Sequence, residues 1–378
     1  MVEENKHQKM QKLFLTLIRI GIGTAEASDE ECEALLTLSL NQWKEIMALA
    51  ERQGVAVLVF DGVQRLYDHY QRDIKAASDF PIEWMRWVFE CTGLMSQHEQ
   101  MNLQQKKVIC EIADTLEHKD IKMMVFKGQA NTSLYPLPMH RAVGDIDCYM
   151  FGEADKGDQL LAAKGAVVAN DWYRHSKISF CGETIENHRV MCHTRGSKNK
   201  KRMEEELIAL LQSSNMSHIE GCGKALMPPA QFNAYFLTYH ALHHFTSEGL
   251  RMKQVLDWAM FLNSHQEDVD WDAYNDFCNR YKLDKFAAEM NYIAVHFLGI
   301  AVRTDCILMD GTYAEKLLQN TLYDDDYLFN SGKNDWTVRW MIVKNMFGRD
   351  RWKYRDIAQQ NVLAHLWQSA TGFLFEKD

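Results

Sequence analysis

Proline is scarce in this chain: 5 in 378 residues, beside 20 glycines. So few breakers leave little room for disordered linkers and point to a helix-rich protein. The nine cysteines (32, 91, 110, 148, 181, 192, 222, 278 and 306) are odd in number, scattered, and contain no C-x-x-C pair. That pattern excludes a disulfide frame and a structural zinc knot, and fits free thiols in a reducing compartment, so a cytoplasmic location is expected. A basic surplus is missing too. With a net charge of −10 and a pI near 5.8, the chain is a poor match for a long nucleic-acid partner. Its apolar run at Leu13–Ile22 is short and interrupted by Thr16 and Arg19, which excludes a signal peptide or a membrane span there. Walker, G-x-G-x-x-G, Ser-His-Asp and Cys-His signatures are all lacking, so P-loop, dinucleotide and hydrolase readings have no support. Solenoid-period repeats are also absent.

What is present is an ordinary globular composition, 47% hydrophobic and 25% charged, with 10 Trp, 14 Tyr and 18 Phe to fill a core. The length suggests two or three packed units. Residues 1–118 read as an N-terminal helical domain. Leu13, Leu17 and Ile20 recur at helical spacing, as do Trp43, Ile46, Met47 and Ala50, and as do Val108, Ile112 and Leu116 within Ile82–Leu116. Residues 119–225 have a different texture, an α+β unit of strands at Met123–Phe126, Gly144–Met150 and Gly165–Asn170. Helices Gln129–Leu134 and Ala154–Lys164 lie between them, and a hairpin of Lys177–Phe180 with Thr184–Met191 follows. After Met227-Pro228-Pro229, residues 226–378 read as a C-terminal helical domain. The fold class expected is α+β, a small mixed sheet flanked by helical domains.

The chemistry concentrates in residues 123–150. Asp145 and Asp147 alternate with Ile146 along one strand, so both carboxylates share a face. Glu186 and His188 share a face of the hairpin strand in the same way. If that strand lies beside the first, Glu186 joins the two aspartates. Three crowded carboxylates repel unless a cation neutralises them, and two Mg²⁺ ions about 3.5–4 Å apart would clamp an in-line displacement. Asp145, Asp147 and Glu186 are thus the candidate catalytic and metal-binding residues, with Glu186 placed to take the acceptor proton. Lys127, Gly128, Gln129, Arg141 and Gly144 are candidate nucleotide-binding residues. Gly128 lets backbone approach phosphates, and Lys127 and Arg141 offset their charge.

These residues carry a family resemblance. Lys127-Gly128, Tyr135-Pro136, Arg141 and Asp145-Ile146-Asp147, the acid-x-His strand Glu186-Asn187-His188, and a helix pair bearing His240–His244, Arg251 and Asp257 resemble a known pattern. It is that of uncharacterised bacterial nucleotidyltransferases within the DNA polymerase β-like nucleotidyltransferase superfamily. The resemblance spans roughly residues 40–265 and implies a nucleotidyltransferase core, Mg²⁺ and a nucleoside triphosphate, with ATP the nucleotide expected. The family's Gly-Ser or Gly-Gly phosphate turn is replaced here by Gly128-Gln129. The expected reaction moves a nucleoside monophosphate to an acceptor hydroxyl on a small molecule or a protein side chain. Two alternatives stand beside it: a catalytically degenerate nucleotide- or partner-binding protein, motivated by Gln129, and an RNA 3′-end nucleotidyltransferase, motivated by the basic run Arg195–Arg202.

The remaining constellations have plainer readings. His240, His243 and His244 form H-x-x-H-H without a completing Cys or Glu, and read as helix-packing histidines. Asp257 lies in the apolar segment VLDWAMFL and must be paired there, with His240, His243 or Arg251 as expected partners; His188, His240 and Asp257 are also candidates for the acceptor side. The run Arg195–Arg202 reads as a solvated loop. In Lys333–Arg355, the spacing of Trp336, Trp340, Val343 and Phe347 reads as a core stripe rather than a base-stacking surface.

Overall fold

A computed structural model describes residues 2–74, 82–170, 173–303, 306–324, 336–363 and 366. The N-terminal helices are α1 (Val2–Ile22), α2 (Asp29–Leu36), α3 (Leu40–Arg52), α4 (Ala56–Ile74) and α5 (Ile82–Glu117). Strands β1 (Met124–Val125) and β2 (Ile146–Tyr149) come next, then α6 (Ala154–Ala163), β3 (Val167–Ala169), β4 (His175–Phe180) and β5 (Glu183–His188). Helices α7 (Lys198–Ser213), α8 (Ala230–Ser247), α9 (Met252–His265), α10 (Trp271–Tyr281), α11 (Asp284–Tyr292), α12 (Ala314–Gln319) and α13 (Trp336–Phe347) follow. The protein is mixed α/β with one described sheet. Among the described residues, no helix is long and apolar enough to cross a membrane.

The sheet order is β1-β2-β5-β4-β3. Only β2 and β5 run parallel, pairing Asp147 with Glu186; the other neighbours are antiparallel. One face is apolar. Val125, Ile146, Cys148, Ile178 and Ile185 pack in one cluster with Val108, Ile109, Ile112, Ala113 and Leu116 of α5 and Leu161 of α6. The opposite face carries the polar side chains, toward α8 and α9. The β4–β5 hairpin turns on Cys181 and Gly182, both at positive φ (49° and 85°), which the twist of a two-residue hairpin loop requires.

The strands are shorter than the residue pattern suggests, except β4. β1 is two residues long, β2 covers Ile146–Tyr149, β3 covers Val167–Ala169, and Gly128–Leu134 is a 3₁₀ turn rather than an α-helix. β4 starts earlier, at His175, while β5 stops at His188 instead of Met191. Past His188 the regular ladder breaks: the Arg189 and Val190 amides both donate to the Arg174 carbonyl, at 2.7 and 3.3 Å, and the Glu204 carboxylate of α7 accepts from the Met191 and Cys192 amides at 2.9 and 2.7 Å. The run Arg195–Arg202 is not a loop: Ser197 caps α7, accepting from the Lys200 amide at 3.3 Å. In α13 the inward line is Ile342 and Met346, whereas Trp340 is 72% and Phe347 48% exposed. The expected stripe is therefore rotated away from the core. That helix is apolar nearly all round, so spacing alone does not select its buried side. The Trp336 side chain and Lys333 lie outside the described residues.

A large apolar cluster, from Leu13 and Phe14 through Phe232, Phe245 and Trp258 to Ala358, joins N-terminal and C-terminal helices. Two contacts link it to the polar face of the sheet. Gln53 accepts the Met252 amide on Oε1 at 2.9 Å, its backbone carbonyl accepts the Lys253 amide at 3.2 Å, and its Nε2 donates to the Thr321 carbonyl at 2.9 Å. The first turn of α9 thereby gains partners its own helix cannot supply. Asp61 of α4 holds His140 Nδ1 at 2.8 Å, beside Arg141.

α4 reaches that position by close approach to α1. A Cβ on Gly62 would lie 2.1 Å from the Leu17 carbonyl oxygen, and one on Gly21 2.0 Å from that of Leu58. Gly62→Ala should therefore cost at least about 1–3 kcal/mol through overpacking. Gly93→Ala, where a Cβ meets nothing within 4 Å, should gain about 0.5–1 kcal/mol from helix propensity. Urea unfolding of the two variants checks this; equal midpoints would contradict the close crossing.

Candidate active site

β2 and β5 deliver the acidic residues by register. Because Asp147 pairs with Glu186 across parallel strands, the two side chains project from the same face, and Asp145, two residues back, joins them. All three line a cavity of about 480 Å³. Its floor is the sheet, with Lys127, Gly128, Gly144, His175 and Lys177; its roof is α8 and α9, with His240, His243, His244, Lys253 and Asp257. Gly128 sits at φ +60°, open to glycine and strained for other residues. Gln105 of α5 fixes the approach to β2, donating to the Gly144 carbonyl at 2.6 Å.

The carboxylates have distinct environments. Asp147 is 6% exposed; the Lys127 ammonium lies 2.7 Å from its Oδ1, and His188 Nε2 donates to that oxygen at 3.0 Å. Burial works to raise this carboxyl, but Lys127 and His188 outweigh it and hold it well below the usual range. Glu186 lies 3.5 Å from His188 Nε2 and 3.6 Å from His175 Nε2. Burial again opposes ionisation, and the hydrogen bond from His188 leads the terms that lower it. Asp145 goes the other way. Burial first, then repulsion from Glu186 and Asp147, pushes its pKa up, only partly offset by Lys177 and Lys127.

Arg141 is not a loose cation. Its guanidinium forks onto Asp257, Nη2 to Oδ2 at 2.6 Å and Nε to Oδ1 at 2.9 Å. Tyr135 Oη donates to the same carboxylate at 2.8 Å and Asn131 Nδ2 at 3.3 Å. The partner of Asp257 is thus Arg141, not His240, His243 or Arg251, and the pair ties the turn before β2 to α9. Gln129 departs from its expected place among the nucleotide-binding residues. Its side chain is 1% exposed and points into the interior, donating to Asn102 Oδ1 at 2.9 Å. Its bulk therefore stays out of the cavity, and its amide is not directed at a phosphate there.

The α8 histidines are also placed differently from expectation. They form part of the cavity roof instead of filling a helix interface. His240 Nε2 lies 3.3 Å from the Lys127 ammonium and 3.2 Å from His244 Nε2. Burial, followed by Lys127, pushes His240 well below the usual imidazole value; burial, followed by His193, does the same to His243. Burial takes His244 to about 4 and, with Arg174, His193 to about 3. Lys253 is pushed down to about 8 by burial, then by Arg141 and Arg251. Residue patterns gave no sign of Tyr173, Arg174, Lys177, His193 or Lys253 in this cavity. Arg174 contacts His193, and the Arg195 guanidinium lies 4.3 Å above the Tyr173 ring.

A mixed sheet with carboxylates from adjoining parallel strands, facing a cleft of lysines, arginines and histidines, defines a mixed α/β protein with a highly charged site. The chain belongs to the family described as uncharacterised nucleotidyltransferases, which it matches over residues 39–299, a span that includes every cavity residue named above. No curated protein and no solved structure matched it.

The depressed histidines give the fold a pH dependence. A group that is neutral in the fold and has an unfolded pKa near 6.5 contributes its full stability above that value. It loses this contribution as pH falls toward the folded pKa, about 2 kcal/mol per histidine by pH 5. Glu289, raised to about 7 by burial, the raised Asp145 and Glu204, and His140, raised by its hydrogen bond to Asp61, act in the opposite sense and offset part of this. His175, at about 4, adds to His193, His240, His243 and His244, so these histidines dominate. The melting temperature should fall by on the order of 10 °C between pH 7.5 and 5, and His243→Gln should flatten that slope. A pH-independent melting curve would contradict the burial of these rings. Asp257→Ala should cost about 3–5 kcal/mol, because it leaves Arg141 buried and unpaired; thermal unfolding measures it.

Proposed function

We propose that the chain transfers a nucleoside monophosphate from a nucleoside triphosphate, with ATP as the expected donor, to an acceptor hydroxyl on a small molecule or protein side chain. One observation carries this reading: Asp145, Asp147 and Glu186 converge on a single cavity beside the Gly128 turn. The donors of Asp145 and Asp147 are hard carboxylate oxygens, and the raised Asp145 pKa marks a group that gains from an added cation, so these two residues fit Mg²⁺. Asp145 and Asp147 would hold it, with Glu186 at a second position. When bound there, the ion would supply positive charge to offset that of the triphosphate.

The chain's own residues do the rest. Lys127 and Lys177 flank the carboxylates and offset triphosphate charge, while the open backbone at Gly128 admits a phosphate oxygen. Glu186, about one-fifth exposed, accepts the proton of an acceptor hydroxyl entering from the side of Arg174, His193 and His243. Neutral histidines on that side present hydrogen-bonding groups without repelling the lysines. His188 and Asp257 act differently from an acceptor contact: His188 orients Asp147, and Asp257 holds Arg141. Gln129 turns inward and keeps its bulk out of the cavity, and the basic run Arg195–Arg202 leads into α7 behind its Ser197 cap.

Incubation with Mg-ATP, with water or an added hydroxyl compound as acceptor, should release pyrophosphate and leave AMP free or attached. Asp145→Asn, which removes charge without breaking a hydrogen bond found in the structure, should lower that release at least about a hundredfold. Asp147→Asn should do the same. Release of ADP and phosphate instead, or full activity in both variants, would sink the assignment.

A further inference from the structure

We propose that His175, His188 and Glu186 form a His₂–carboxylate site for a nitrogen-preferring divalent ion such as Zn²⁺ or Co²⁺, so that the second cation position is not a Mg²⁺ site. Its place in catalysis rests on the transferase reading above; its existence as a metal site does not.

The register of β4 and β5 builds it. His175 and His188 are direct cross-strand partners, so their rings leave the same face, with centroids 5.0 Å apart. Glu186 is two residues before His188 and shares that face. Its two oxygens reach one imidazole each, Oε1 to His175 Nε2 at 3.6 Å and Oε2 to His188 Nε2 at 3.5 Å. The three ligand atoms lie within 4.8 Å of one another. Two donors about 2.1 Å from a tetrahedral zinc ion are ~3.4 Å apart, so the carboxylate-to-imidazole distances already match the edges of such a site. Three protein ligands with a fourth position open is the catalytic rather than the structural zinc arrangement. His175 and Glu186 line the cavity, which is where the fourth position points.

The outer contacts suit ligation. His188 Nδ1 lies 3.4 Å from the Val190 carbonyl oxygen. Ligation would displace the Nε2 proton that faces Asp147 in the metal-free site, and a proton on Nδ1, donated to that carbonyl, would leave Nε2 with its lone pair; backbone carbonyls commonly fix the tautomer of ligating histidines in this way. Asp147 Oδ1 lies 3.0 Å from the same Nε2, so an ion here adjoins the Asp145–Asp147 position. Mg²⁺ demands six hard ligands in near-octahedral array and keeps its waters, whereas imidazole suits zinc and cobalt. A rival nitrogen pair exists on α8, His240 and His244, with Nε2 atoms 3.2 Å apart. Its one ion-paired carboxylate, Glu248, lies on the Nδ1 side of His244, at 3.7 Å, away from the shared point.

The full chain, stripped of metal, is titrated with Co²⁺ followed by visible absorbance, and with Zn²⁺ by calorimetry in excess Mg²⁺. The expected result is one equivalent bound with a d–d band, not displaced by Mg²⁺. Affinity should fall at least tenfold in His175→Gln and in Glu186→Gln, and stay unchanged in a His240→Gln/His244→Gln double variant. Circular dichroism confirms that each variant is folded. Zn²⁺ that binds no more tightly than Mg²⁺ overturns the proposal, as does binding that survives both substitutions in β4 and β5 or that follows His240 and His244. A chain that binds Zn²⁺ as expected but releases no pyrophosphate upholds the site and overturns only the transferase reading.

Discussion

The parallel pairing of β2 with β5 is the constraint on which the site depends. Within a four-residue strand, a slip of one position would send Asp147 into the α5 interface and Ile146 into the cavity. The register is pinned from behind by apolar burial. Ile146, Cys148 and Ile185 are essentially inaccessible and seat against Ile109 and Ile112 of α5. The burial of aliphatic side chains on one face thus fixes the geometry of charged ones on the other. α5 has a second hold on the same strand through Gln105 and the Gly144 carbonyl, which sets where the strand begins.

Much of this was legible in the residues, for a simple reason. Period-two alternation exposes a face, so Asp145 with Asp147, and Glu186 with His188, declared themselves without any knowledge of tertiary contacts. The glycine turn and the stripe on α5 were visible on similarly local grounds. What could not be read is everything decided by long-range partners. Arg141 and Asp257 are 116 positions apart, and nothing local in VLDWAMFL names its cation. α8 is apolar on nearly every side, so periodicity could not show that His240, His243 and His244 face a cleft. The basic run at 195–202 opposes the helix dipole at its own N-terminus, and the Ser197 cap with the burial of Met203, Leu207 and Leu211 farther along α7 offsets it. In α13 the same ambiguity placed Trp340 and Phe347 inside when they lie outside.

The cavity's charges make sense as a balanced set. Around the carboxylates stand Lys127, Arg141, Arg174, Lys177 and Lys253, and one of them, Arg141, is committed to Asp257. Five imidazoles fill the spaces between and stay uncharged because burial and those cations disfavour protonation. A polyanion with its bound cations can enter such a site without meeting a wall of one sign. The Lys127 ammonium on Asp147 serves meanwhile as an internal counter-ion, so the aspartate is ionised and oriented before any ligand arrives.

The contacts of Gln53 have a wider consequence. This side chain has no exposure and is not among the residues that line the cavity, yet it closes the first turn of α9, which carries Lys253 and Asp257. The sheet alone therefore lacks what holds the roof of the cleft in place. Trimming the chain past α3 would free the roof of the cleft while leaving every residue of its floor intact. The helices that look like packaging in the first third of the sequence are part of the tolerance to which the cleft is built, and substitutions there are constrained by a chemistry they never touch.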